Sequence, residues 1–111
     1  MATFEEFTAL DKRIRTVLEA QELPKARVPA IKMNMDFGEK LGIKQSSAQI
    51  TKRYTPKAMI GKQVVTIVNF PPCRVAGFKS EVLGIGGVPV EGDVILLMPN
   101  QKVPNGTKIH E

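Results

Sequence analysis

With 111 residues the chain has the size of one domain, long enough to remove roughly 60–70% of its unfolded surface from water around a single core. A composition of 42% hydrophobic and 24% charged residues is that of a soluble globular protein, and no apolar run approaches the roughly 20 residues of a membrane-spanning helix. The net charge of +5 favours polyanionic partners, of which nucleic acid is the commonest, whereas an aromatic content of only 5% argues against rows of rings stacking bases.

Thr3-Phe4-Glu5-Glu6 predicts a short helix, with Thr3 as its cap and acidic groups in the first turn. Phe4, Phe7 and Leu10 recur at helical spacing, and so short a helix must dock its apolar stripe, on its own barrel or across a dimer interface. The MATFEEFTALDKR start has no long apolar core and is not read as a signal peptide. Arg13–Glu22 turns extended, Ile14, Thr16, Leu18 and Ala20 alternating with Arg15, Val17, Glu19 and Gln21. A proline-bounded loop carrying Lys25 and Arg27 follows. Ile31, Met33, Met35 and Phe37 then alternate with Lys32, Asn34 and Asp36, which predicts a barrel strand whose methionines fill the core.

Gly38 and Gly42 bracket a turn before Ile43–Ile50, a strand with unusually many polar groups. It fits a solvated edge strand or a display of hydrogen-bonding groups at a binding surface. Within the basic connector Thr51–Lys57, Thr55-Pro56 begins a second short helix that Gly61 stops. Lys62–Val68 is the most strand-like segment, its continuous apolarity implying burial on both faces. Pro71-Pro72 ends it, because neither residue has an amide hydrogen to donate. Val82, Leu83 and Ile85 start another strand, with Gly84, Gly86 and Gly87 permitting a bend or bulge. Val88–Asp93 reads as a turn, Val94–Met98 as a last buried strand, and Pro99–Ile109 as a turned, extended ending. Five strands, a short N-terminal helix and a short helix between strands 3 and 4, without a βαβ rhythm, predict an all-β, five-stranded OB-fold barrel spanning 1–111 as a single domain.

Enzymatic chemistry has little to work with. Cys73 is the single cysteine, which excludes an internal disulfide and a cysteine-based zinc site and favours a reduced, cytoplasmic setting. His110, the single histidine, lies next to the C-terminal residue, a poor place for a catalytic group or metal ligand. Neither a GxxxxGK[ST] loop nor a GxGxxG turn is present, and Ser46-Ser47 has no histidine partner for nucleophilic catalysis. No enzyme, metal or cofactor is therefore expected. A binding reading survives at the stiff, cationic turn after Val68, where Asn69-Phe70-Pro71-Pro72 leads into Arg74, Lys79 and Ser80. Arginine grips phosphate bidentately and lysine acts as a mobile point charge. Lys44, Lys52 and Arg53 extend the basic surface.

Leu10–Ile14, Pro24-Lys25-Ala26, Asn69–Glu81 (NFPPCRVAGFKSE) and Val103–Ile109 (VPNGTKI) together resemble the tRNA-binding OB-fold family. That family includes the domain appended to many bacterial methionyl-tRNA synthetases. Gly42–Tyr54 (GIKQSSAQITKRY) narrows the resemblance to a branch of bacterial chaperones associated with protein export. The resemblance implies a cytoplasmic homodimer that binds unfolded preproteins and the export motor ATPase, or tRNA through the same surface, without membrane insertion. It carries Asn69, Arg74, Lys79 and Ser80 over as site residues, followed by Lys44, Gln45 and Ser46. Cys73 departs from the basic or polar residue usual in the family, leaving Arg74 as the lone arginine there and favouring peptide over tRNA. A subunit-assembly module with no ligand of its own is the third reading left open.

Overall fold

A computed structural model describes residues 1–22, 31–36, 42–48, 54–71, 73–75, 78–91 and 93–110; Lys25, Arg27, Phe37, Gly38, Lys52, Arg53 and Pro72, named above, lie outside them. The first element, α1 (Phe4–Ala9), has Thr3 as its cap as expected and closes a capping box: Thr3 Oγ1 accepts from the Glu6 amide at 3.2 Å, and Glu6 Oε1 accepts from the Thr3 amide at 3.0 Å. No residue of α1 is buried, and Phe4 is 60% exposed. Its hold on the barrel comes from its C-terminal end. The Lys12 ammonium donates to the carbonyls of Phe7 (2.6 Å) and Leu10 (2.7 Å) and sits 3.8 Å from the centre of the Phe7 ring. A cation there adds a donor at the carbonyl end of the helix, where the Phe7 carbonyl also accepts from the Leu10 amide at 3.4 Å, and complements the helix dipole.

The chain continues through β1 (Lys12–Glu22), β2 (Ile31–Asp36), β3 (Ile43–Ala48), α2 (Pro56–Met59), β4 (Gln63–Ile67), β5 (Cys73–Val75), β6 (Phe78–Ser80), β7 (Leu83–Gly84), β8 (Gly86–Val90), β9 (Asp93–Leu96) and β10 (Thr107–Lys108). One antiparallel sheet runs β3-β2-β1-β4-β7, with β10 also paired to β1. It curls into a half-barrel of the expected all-β, OB-like class, with its later strands broken into short pieces. The helix between the third and fourth strands is α2, capped by Thr55, whose hydroxyl accepts from the Ala58 amide at 3.2 Å. Gly61, at φ 87°, turns the chain after it.

The interior holds Val17, Ile31, Met33, Met35, Met59, Val64, Val82 and Leu96. The β2 alternation and the core role of its methionines hold as expected: Ile31, Met33 and Met35 are buried, Lys32, Asn34 and Asp36 half-buried. Regular alternation along β1 does not hold. A register shift between Val17 and Glu19 inserts a bulge, so Val17 and Ala20 both reach the core while Leu18 turns outward. Before the bulge both faces are covered, and Arg15 is 0% exposed. Desolvation by burial pushes its guanidinium pKa far below the usual arginine range, to about 8, and Gly84 lies alongside, where a β-carbon would sit at an ordinary contact distance of 3.9 Å from Arg15 Nη2.

Two expectations near the C-terminus are corrected. Val88–Val90 belongs to β8, which pairs with β9 as a separate two-stranded sheet. The segment expected as a last buried strand is half uncovered, with Leu96 buried but Ile95, Leu97 and Met98 exposed. Hydrophobicity alone did not distinguish a fully covered strand from one that sets Leu96 in the core and leaves Ile95, Leu97 and Met98 uncovered within one chain. The tail takes the expected turned, extended course and is clamped by Gln63. The Gln63 amide donates to the Val103 carbonyl (2.7 Å) and accepts from the Val103 amide (3.0 Å), mimicking a backbone partner.

Candidate functional site

The cationic turn is delivered by β4 and anchored at its root. The Val68 amide donates to the Asp11 carbonyl at 2.9 Å. The Asn69 side chain then spans the joint with α1, Oδ1 accepting from the Asp11 amide (2.9 Å) and Nδ2 donating to the Ala9 carbonyl (2.7 Å). Phe70 and Pro71 follow with exposed side chains. Beyond them β5 and β6 form a hairpin whose backbone register sets Arg74 opposite Lys79 and Cys73 opposite Ser80. The two cationic positions predicted to act together are thus neighbours across one ladder.

Strand β3 meets this hairpin at the seam of the barrel. The Glu81 amide donates to the Gln45 carbonyl (2.8 Å), and the Gln45 amide donates to Glu81 Oε1 (3.2 Å). The Ser46 hydroxyl donates to the Val82 carbonyl at 2.8 Å, and the Ser80 hydroxyl reaches the same carbonyl at 3.3 Å. Gln45, Ser46 and Ser80 therefore come together.

Lys44, Gln45 and Ser46 cannot share a face, because side chains alternate along a strand. Gln45 stands opposite Asn34 on the outer face, while Lys44 and Ser46 are paired with the core residues Met35 and Met33. Ser46 is 0% exposed, so its hydroxyl works within the seam. Lys44 and Gln45 are half-buried.

Sequence reasoning passed over an apolar cleft directly beside the turn, lined by Phe70, Pro71, Ser80, Glu81, Val82 and Leu83. The available signal was Phe70 before a proline, where a large ring has no strand to hide in. On the outer face of β1, β2 and β3, Glu19, Gln21, Lys32, Asn34 and Gln45 line a second, polar cleft, with Asn34 Nδ2 donating to Glu19 Oε2 at 3.3 Å. Among the described residues no cluster of three or more His, Cys, Asp or Glu side chains could hold a metal ion, and no helix is long and apolar enough to cross a membrane.

Residues 13–108 match the family described as "Putative tRNA binding domain". The chain belongs to that family. Among curated relatives, methionine–tRNA ligase of Methanothrix thermoacetophila is 37% identical over 106 residues, covering 96% of this chain. That of Porphyromonas gingivalis is 35% identical over 106 residues. The chain spans about 15% of the length of these ligases. Similar solved structures are the chaperone CsaA from Bacillus anthracis, 65% identical with TM-score 0.94 over 99% of both chains, and the CsaA chaperone protein from Picrophilus torridus, 39% identical with TM-score 0.90 over 99% of this chain and 100% of that one.

Proposed function

We propose that this tRNA-binding-domain protein is a non-catalytic chaperone that holds unfolded preproteins for export, in the cytoplasm and as a homodimer. The observation that carries this reading is the 65% identity, over 99% of both chains, to a protein named as the chaperone CsaA. Arg74, Lys79, Ser80 and Gln45 are the proposed contacts to extended client segments, Lys44 is set on the other face of β3 from Gln45, and Asn69 and Ser46 hold the surface in shape. The export motor ATPase is the proposed receiver of the client.

Dimerisation is supported by apolar surface left uncovered in one chain. Val88, Val90, Ile95, Leu97 and Met98 are 38–59% exposed on and beside the β8–β9 hairpin, and scattered exposed apolar groups are ordinary whereas clustered ones mark interfaces. Light scattering is expected to give twice 12.2 kDa, and a monomer at micromolar concentration removes the dimer. The chaperone reading is tested by suppression of aggregation of an unfolded client. Arg74→Ala with Lys79→Ala weakens suppression while the barrel still melts cooperatively; unchanged suppression removes this turn as the site.

The family match and the net charge of +5 favour a second reading, tRNA binding through the same surface. Log affinity for tRNA then falls with log salt, by about 0.7–0.9 per phosphate contact. No binding at about 0.15 M salt, the physiological ionic strength, sinks this reading.

A further inference from the structure

We propose that the cleft between Phe70-Pro71 and the start of β7 is a side-chain subsite for peptides, taking an apolar side chain whose neighbour in the peptide is lysine or arginine. This rests on the peptide-binding reading above and specifies what that surface selects. The cleft encloses about 200 Å³. Phe70 (46% exposed), Pro71 and Leu83 (47% exposed) form its walls and buried Val82 its floor. Three exposed apolar side chains facing one hollow differ from scattered surface hydrophobes, because a guest side chain is desolvated on several sides at once.

The hollow is also fixed in shape. Its floor carbonyl, Val82 O, accepts from both Ser46 and Ser80, and the adjoining Glu81 amide is tied to Gln45 O. Proline at position 71 removes backbone freedom from one wall. A pre-formed cleft spares the ordering cost that weakens binding to mobile loops. It is continuous with the proposed contact surface, since Ser80 belongs to both and Phe70 adjoins Asn69.

Charge decides the guest's class. Glu81 places a half-buried carboxylate at the cleft, one oxygen of which accepts from the Gln45 amide. A carboxylate repels the phosphodiester that accompanies every nucleobase, and it attracts a cation. A base stacked on Phe70 would therefore carry its phosphate toward Glu81, whereas a peptide can present an apolar side chain to the hollow and a lysine or arginine to the carboxylate.

The test uses the purified full chain and fluorescent, unstructured peptides of identical polar flanks with central Lys-Leu-Lys, Lys-Ser-Lys or Glu-Leu-Glu. The Lys-Leu-Lys peptide is expected to bind on the order of tenfold more tightly than Lys-Ser-Lys, the effect of burying one leucine side chain. Phe70→Ser with Leu83→Ser abolishes that difference, and Glu81→Gln shrinks the preference for Lys-Leu-Lys over Glu-Leu-Glu. Equal binding of Lys-Leu-Lys and Lys-Ser-Lys by the unmodified chain overturns the subsite and leaves peptide binding standing, with no variant needed. No binding of any peptide overturns both. Equal weakening of tRNA and Lys-Leu-Lys by the double variant makes the cleft a base-stacking shelf and overturns the peptide assignment.

Discussion

Asn69 and Asp11 are joined by a side-chain amide acting as a backbone group. Asn69 Oδ1 accepts from the Asp11 amide at 2.9 Å while Nδ2 donates to the Ala9 carbonyl at 2.7 Å. This closes the joint between α1 and the strand that delivers the cationic turn. Since no side chain of α1 is buried, the joint and Lys12 are what hold the helix. Asn69→Ala is expected to cost about 1–2 kcal/mol, to lower the melting temperature by several degrees, and to increase amide exchange at Phe7 and Leu10. Asn69→Asp keeps the acceptor for Asp11 but sets a carboxylate against the Ala9 carbonyl, so it is no milder.

What was legible in the sequence was local. The Thr3 cap, Thr55-Pro56 and the alternation of Ile31, Met33 and Met35 each depend on neighbours a few residues away, and each came out as expected. What was not legible depends on strand partners. The β1 bulge arises because Val17 pairs with Met35 and Glu19 with Asn34, a count that no periodicity within β1 contains. The exposed β8–β9 hairpin carries the same residue types as a buried strand. The site divides likewise: register brings Arg74 beside Lys79, but motif reading placed Ser46 among surface contacts although pairing with Met33 turns it into the core.

Gln63 carries the C-terminal tail. Its amide bonds Val103 in both directions and also donates to Thr16 Oγ1 at 3.3 Å; that hydroxyl in turn donates to Asn105 Oδ1 at 2.6 Å. Gln63→Ala leaves both backbone groups of Val103 without these partners and is expected to lose about 1–3 kcal/mol in urea unfolding. Gln63→Glu keeps the acceptor but repels the Val103 carbonyl, so it is expected to lose stability too. Proteolysis of the tail ahead of the barrel in both variants marks the tail as the part released.

Gly86 and Gly87 provide a paired test of the β8–β9 hairpin. A β-carbon at Gly86 would collide with the Ile95 backbone carbonyl oxygen, whereas one at Gly87 meets nothing within 4 Å. Backbone cannot swing aside as a flexible side chain can. Gly86→Ala is therefore expected to destabilise by about 1–3 kcal/mol. Gly87→Ala is expected to change stability by less than about 0.5 kcal/mol, as surface substitutions do. Thermal melts of the two variants check the contrast, and equal effects would mean the close approach to Ile95 is absent in solution.

Ser46 separates a contact within the seam from a contact to ligand. The hydroxyl is fully buried and donates to Val82 O, which Ser80 also reaches. Ser46→Ala leaves that carbonyl one donor and is expected to cost about 1 kcal/mol. Ser46→Val adds volume where there is no exposure and is expected to cost about 1–3 kcal/mol. Client affinity of Ser46→Ala, measured well below its melting temperature, is expected to match that of the unmodified chain. Gln45→Ala, on the outer face of the same strand, is expected to weaken client binding while its backbone bonds to Glu81 persist. Lost affinity in Ser46→Ala at unchanged stability would place the hydroxyl at the ligand instead, which requires β3 to shift away from Val82 on binding.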